Sequence, residues 1–115
     1  MKKKNQSRFV TLLIIIVIVI IAILLLNRKP VETDEETAKC IGSKSLLYTQ
    51  LGCSHCEAQK EMFGNNYQYL NVIDCWYDHQ PCIDNEIEGT PTWVIKGEKY
   101  EGVQTIEKLK ELTGC

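Results

Sequence analysis

The sequence predicts an α/β domain of element order β-α-β-α-β-β-α, preceded by one membrane-spanning helix. Three observations predict it. Phe9 to Leu26 is a run of eighteen residues without a charge, in which Thr11 alone is polar. From Leu46 onward, short apolar segments with strand character alternate with segments of helix formers. Between the first strand and the first of those helices stands Cys53-Ser54-His55-Cys56.

The apolar run spans roughly 27 Å as a helix, about the thickness of the hydrocarbon core of a bilayer. It is too long and too uniform for a signal-peptide core, and the residues after it, Asn27-Arg28-Lys29-Pro30, carry no small-x-small cleavage pattern. An uncleaved signal anchor is therefore expected, with a cleaved signal peptide as the alternative. Lys2, Lys3, Lys4 and Arg8 precede the span, whereas Arg28 and Lys29 are followed at once by Glu32, Asp34, Glu35 and Glu36. The basic excess keeps residues 1–8 in the cytoplasm and sends the chain from Val31 onward outside, as a single-pass protein of the cell membrane. Residues 27–38 read as a polar linker and 39–115 as the outer domain. From Val31, seven lysines against fifteen carboxylate side chains give a charge of −8, a split that the whole-chain value of −2 hides. So acidic a domain argues against nucleic acid or anionic lipid as a partner.

The outer segment is short and holds one small domain with a limited core. Glu35–Cys40 forms a short helix stopped by Gly42. Leu46–Thr49 is the first strand. Ser54–Phe63 is a helix whose end is marked by Gly64-Asn65-Asn66, residues that tolerate left-handed backbone. Tyr69–Cys75 is apolar along most of its length and reads as a central strand buried on both faces. Pro81 suits the first turn of a helix running to about Glu86, and Gly89-Thr90-Pro91 breaks it. Thr92–Ile95 is the third strand, and Lys96-Gly97-Glu98 turns it into a short fourth, Lys99–Glu101. Thr105 caps a last helix with Ile106, Leu109 and Leu112 on one face, and Gly114 ends it. Helical connections make the first three strands parallel, with the final hairpin as an antiparallel edge.

All six cysteines, Cys40, Cys53, Cys56, Cys75, Cys82 and Cys115, lie beyond the membrane span, and an even number in an oxidising compartment suggests three disulfides. The pair Cys53/Cys56 is the reactive one. A cysteine at the opening of a helix meets unpaired N–H groups and the positive end of the dipole, and both favour thiolate over thiol. Cys53 is then the attacking thiol, and Cys56, one turn on, resolves the mixed disulfide. His55 between them favours the Cys53 thiolate and moves the couple toward the oxidising end. As a purely structural bond the pair closes too small a loop to add much stability. A zinc site built from Cys53, Cys56, Cys75 and Cys82 with His55 and His79 is the rival chemistry, but the six-residue gap between Cys75 and Cys82 does not match paired knuckles. Haem attachment would need His after the second cysteine, where Glu57 stands. The chain has no phosphate loop and no nucleophilic serine motif. Trp76, Tyr77 and Trp93 read as aromatic core, with a substrate-facing surface as the alternative.

From Cys40 to Cys115 the chain resembles the thioredoxin-like family, on Cys53-Ser54-His55-Cys56 and on Gly89-Thr90-Pro91-Thr92-Trp93, which is similar to the family's cis-proline loop. Within that family it resembles the thioredoxin-like domain associated with vitamin K epoxide reductase homologues. That likeness rests on Cys53 to Gly64, Cys75, Cys82, Pro91-Thr92-Trp93 and Tyr100-Glu101-Gly102-Val103. The resemblance implies a thiol–disulfide oxidoreductase without an organic cofactor or metal, oxidising or isomerising cysteine pairs of exported proteins, with a reductase of the same fold or a non-catalytic metal-binding or interaction module as the alternatives. It implies reoxidation by a membrane quinone-linked thiol oxidase of the vitamin K epoxide reductase type. It implies a cis Pro91 facing the cysteines and a Thr90 whose backbone pairs with the substrate chain. It implies a structural Cys75–Cys82 disulfide, with a second relay pair as the alternative, and this leaves Cys40 and Cys115 for each other. Two departures stand out: the strand Leu46-Leu47-Tyr48-Thr49 carries no carboxylate, and Gly52 rather than Trp precedes Cys53. Both speak against a thioredoxin-like reductase and leave the oxidant role intact.

Overall fold

The computed structural model describes residues 2–28 and 33–115, and the middle of the expected linker lies outside them. The chain divides into two compact units, Met1–Pro30 and Val31–Cys115. In the first, α1 (Lys2–Leu26) is one continuous helix that extends the apolar run back through the basic residues. It is the one helix among the described residues long and apolar enough to cross a membrane.

The second unit contains α2 (Glu35–Lys44), β1 (Ser45–Thr49), α3 (Ser54–Glu61), a 3₁₀ helix (Gly64–Tyr69), β2 (Val72–Asp74), α4 (His79–Asp84), β3 (Thr92–Ile95), β4 (Glu98–Glu101) and α5 (Ile106–Thr113). Local chemistry accounts for most of the boundaries. The Asp34 side chain accepts the Thr37 N–H and caps α2; Thr105 accepts the Lys108 N–H and caps α5; Gly114, at φ 78°, closes α5 in the left-handed region. Lys96 and Gly97 both have positive φ between the paired residues Ile95 and Glu98, as the tightest hairpin turn demands.

Three expectations are corrected. Gly42 does not stop α2 but lies inside it: a Cβ there would overlap the main-chain carbonyl of Tyr69 and stand 3.1 Å from Leu70 Cα. Glycine is needed because two backbones touch, a long-range reason. Ala38, placed in the expected linker, is fully buried in the core. Next, β2 is neither central nor long. Tyr69 ends the 3₁₀ helix, Leu70 and Asn71 lie between the two elements, and the sheet order β2-β1-β3-β4 leaves the strand on an edge.

Finally, β1 and β2 are parallel but β1 and β3 are antiparallel, with Tyr48 opposite Thr92. The chain between β2 and β3 holds only the six-residue α4, too short to recross the sheet. The Cys75–Cys82 bond also doubles that segment back on itself, with the two Cα atoms 5.9 Å apart. So β3 starts at the end of the sheet where β1 finishes.

The core joins Ala38 and Ile41 of α2, Leu47 of β1, Phe63, Leu70, Trp93 and Ile95 of β3, and Leu109 of α5. Cys40 and Cys115 are bonded, which ties α2 to the end of α5. The chain enters this unit through Thr33, whose N–H and hydroxyl both donate to the Met62 carbonyl just past α3.

Candidate functional site

The reactive end of the sheet is built by a turn and a cap. Gln50 to Cys53 is a tight turn closed by the Cys53 N–H on the Gln50 carbonyl at 3.1 Å, with Gly52 at φ 83° supplying the left-handed residue that such a turn needs. The chain therefore leaves β1 and starts α3 within four residues, with Cys53 as its N-cap. The sulfur of Cys53 accepts the Cys56 N–H at 3.2 Å, the position a serine hydroxyl takes in ordinary caps. Cys53 is half-buried and Cys56 is only 5% exposed. The two are joined as a disulfide, their Cα atoms 5.2 Å apart. His55 is exposed on the first turn of α3.

Because β3 runs antiparallel to β1, its N-terminal end lies beside the C-terminal end of β1. The Thr90–Pro91 peptide is cis, Pro91 is buried, and the Thr90 carbonyl oxygen stands 3.4 Å from Cys53 Sγ. In the disulfide this is a contact; in the reduced state the Cys53 thiol can donate a hydrogen bond to it. Cys53, Cys56, Thr90 and Pro91 thus come together, with His55 beside them at the surface. Cys75 and Cys82 are bonded to each other, and so are Cys40 and Cys115. The four thiols considered for zinc are thereby held in two disulfides.

Some residues at the site were not visible in the sequence. A pocket of about 290 Å³ opens behind Cys56 and is lined also by Glu57, Lys60, Tyr67 and Asp74. The carboxylates that β1 lacks are thus supplied by α3 and β2 to a pocket that Cys56 also lines. Burial raises the Tyr67 phenol above its ordinary pKa, and the nearby Glu57 and Asp74 carboxylates raise it further. Asp74 also organises the rim: its Oδ1 accepts the Leu51 N–H at 3.2 Å and the Trp76 N–H at 2.9 Å. Leu51 and Trp76 are 56% and 55% exposed, and Tyr77 is exposed too. The expected aromatic core therefore holds for Trp93 but not for Trp76 and Tyr77.

Gln59 was also missed. It is fully buried one turn beyond Cys56, and a polar residue in step with Met62 and Phe63 was the available signal.

The chain is 39% identical over 83 residues to the thiol-disulfide oxidoreductase LTO1 of Arabidopsis thaliana, a match that takes in 64% of this chain. The chain spans only 22% of that relative's length. Among solved structures it is similar to a point mutant of the thioredoxin-like protein BC3987, at 34% identity, over 60% of this chain and 97% of that one, with a TM-score of 0.45. A further similarity, at 17% identity and a TM-score of 0.42, is to the NTD_N/C domain of alkylhydroperoxide reductase AhpF from Enterococcus faecalis; it covers 70% of this chain and 44% of that one. No protein-family model matches the chain.

Proposed function

We propose that this chain is a thioredoxin-like, membrane-anchored thiol–disulfide oxidoreductase with its dithiol domain on the outer side of the membrane, a reading supported by its 39% identity over 83 residues to a thiol-disulfide oxidoreductase. One observation carries the reading: Cys53 caps α3, bonded to a buried Cys56, and its sulfur faces the Thr90 carbonyl beside a cis Pro91. A half-exposed sulfur at a helix N-terminus, with a backbone edge alongside, is equipped to accept a thiol carried on a polypeptide. The helix α1 is the anchor, and the basic residues before the span keep the N-terminus in the cytoplasm.

In the oxidising direction a substrate thiolate attacks Cys53 Sγ. The Cys53–Cys56 bond breaks, and Cys56 leaves as a thiolate and takes up a proton. The pocket behind it, flanked by Glu57 and Asp74, supplies the route for that proton. The second substrate thiolate then attacks the substrate sulfur of the mixed disulfide. A substrate disulfide forms, Cys53 leaves as a thiolate, and two electrons have moved to the protein. The helix terminus and the neighbouring His55 stabilise that last thiolate and favour this direction. The substrates are cysteine pairs of exported proteins, drawn to the site through the open main chain of Thr90. The reduced pair is reoxidised by a membrane quinone-linked thiol oxidase of the vitamin K epoxide reductase type.

Cys56→Ser in the full chain tests the reading, because the Cys53 thiolate can still attack a substrate disulfide, the reverse of the last step above, and no Cys56 thiol is left to displace the captured chain. Membranes from cells carrying the variant should yield proteins linked through Cys53 and released by dithiothreitol. No captured protein sinks the exchange reading. A reduction potential near that of thioredoxin, roughly −270 mV, would reverse the direction to reductase.

A further inference from the structure

Gln59 is fully buried and has every polar atom engaged. Its Oε1 accepts the indole N–H of Trp93 at 3.0 Å and the main-chain N–H of Gln104 at 2.7 Å. Its Nε2 donates to the Gln104 carbonyl at 3.0 Å and faces Met62 Sδ at 3.5 Å. Two donors meet the oxygen and an acceptor meets the nitrogen, so the orientation of the amide is fixed by its partners. With Gln104 the side chain makes the paired N–H and C=O exchange that two strands make, here between a helix and a loop.

The connection continues. Gln104 lies two residues after Gly102, whose N–H donates to the Pro91 carbonyl at 2.8 Å. Pro91 follows Thr90, whose carbonyl faces Cys53 Sγ at 3.4 Å. Cys53 caps the same helix that carries Gln59. A closed circuit therefore runs from α3 through Gln59, Gln104, Gly102, Pro91 and Thr90 back to Cys53.

We infer that Gln59 is a positioning residue that sets the gap between Cys53 Sγ and the Thr90 main chain, and through it the exchange with polypeptide thiols. This rests on the thiol–disulfide exchange reading. A polypeptide must bring its sulfur to Cys53 while its backbone pairs at Thr90, so it needs that gap held. A small dithiol needs the sulfur alone. Loss of Gln59 removes the side-chain hydrogen bonds that fasten the α3 end of the circuit to the loop that supports Pro91.

The test compares two second-order rates for the full, oxidised chain in detergent micelles, one with a reduced dithiol peptide of ten residues and one with dithiothreitol. In Gln59→Met the peptide rate should fall roughly 10-fold to 100-fold while the dithiothreitol rate stays within about threefold. Trp93→Phe is the control for lost core stability: it removes one bond to Gln59 but leaves the circuit closed. It should lower the unfolding midpoint and leave the ratio of the two rates unchanged. If Gln59→Met does not fold, Gln59→Glu serves, since it keeps both acceptor bonds and loses the amide N–H groups that face the Gln104 carbonyl and Met62 Sδ; its ratio should lie between the others. Equal loss of both rates, or no loss of either, overturns the positioning role. A wild-type chain inert to both reagents overturns the exchange reading and this inference with it, whereas active wild type with an unshifted ratio overturns the inference alone.

Discussion

Removing the Cys40–Cys115 bond should destabilise this domain more than any other loss of a disulfide in it. The bond joins residues 75 apart, whereas Cys75 and Cys82 are 7 apart. If a cross-link acts by restricting the unfolded chain, the long loop contributes about 4.5 kcal/mol and the short one about 2.4 kcal/mol at 25 °C. A domain of this size has only roughly 4–12 kcal/mol of net stability, so the long cross-link accounts for a large share of it. The paired variants Cys40→Ala/Cys115→Ala and Cys75→Ala/Cys82→Ala, with Cys53–Cys56 kept oxidised in both, can be unfolded with urea in micelles and followed by the fluorescence of buried Trp93. The first pair should lose about 2 kcal/mol more than the second. Cys82 is 7% exposed, and its truncation adds a packing loss to the second pair. That works against the expected ranking and makes the comparison a strict one. If the long-loop variant is the more stable of the two, the entropic reasoning fails. The bond would then act through native contacts between α2 and α5.

Further outcomes follow from single sites. Gly42→Ala should lower stability by about 1–3 kcal/mol although alanine favours a helix, because the new methyl meets the Tyr69 carbonyl, which has no rotamer to escape into; a raised thermal midpoint would contradict this. The Asp34 carboxyl is held below its ordinary 3.8 by the Thr37 N–H that it accepts. A depressed folded-state pKa gives stability that is present above the unfolded value and lost as pH falls through the folded one. Thermal midpoints should therefore decline below about pH 4, and less steeply in Asp34→Asn, which keeps the cap without titrating. Glu57→Gln with Asp74→Asn should slow the first step, in which Cys56 leaves and takes up a proton, by roughly 10-fold or more if these carboxylates serve that proton, read by stopped-flow mixing of the oxidised chain with a dithiol peptide; an unchanged rate removes them from the mechanism.

What the sequence made legible is what neighbouring residues decide. The caps Cys53 and Thr105, the Lys96-Gly97 turn and the stop at Gly114 act within a few residues of themselves, and the structure has each of these elements. Gly42 reads as a helix stop until Tyr69 is known to lie against it. The direction of β3 could not be had from the rule that a helix joins parallel strands, because the connecting helix here is too short to cross the sheet. Had β3 run parallel to β1, Pro91 would start at the far end of the sheet from Cys53. The resemblance required the two to meet, and the antiparallel register opposing Tyr48 and Thr92 is what lets them. Glu57, Asp74 and Gln59 stayed hidden for the same reason: each acquires its role from a partner on another element.

The central place of β3 bears on how long a visitor can stay. From Thr92 onward both of its edges are occupied, by β1 on one side and β4 on the other. Pro91 has no N–H to offer, and its carbonyl is taken by Gly102. On the proposed exchange with polypeptide thiols, a guest backbone would therefore find a foothold one residue wide, at Thr90, instead of a ladder. Main-chain pairing that short is indifferent to sequence and too weak to retain a product once the intermolecular sulfur bond is gone. On that proposal release would not lag behind resolution, and the same few atoms would serve many different chains in turn.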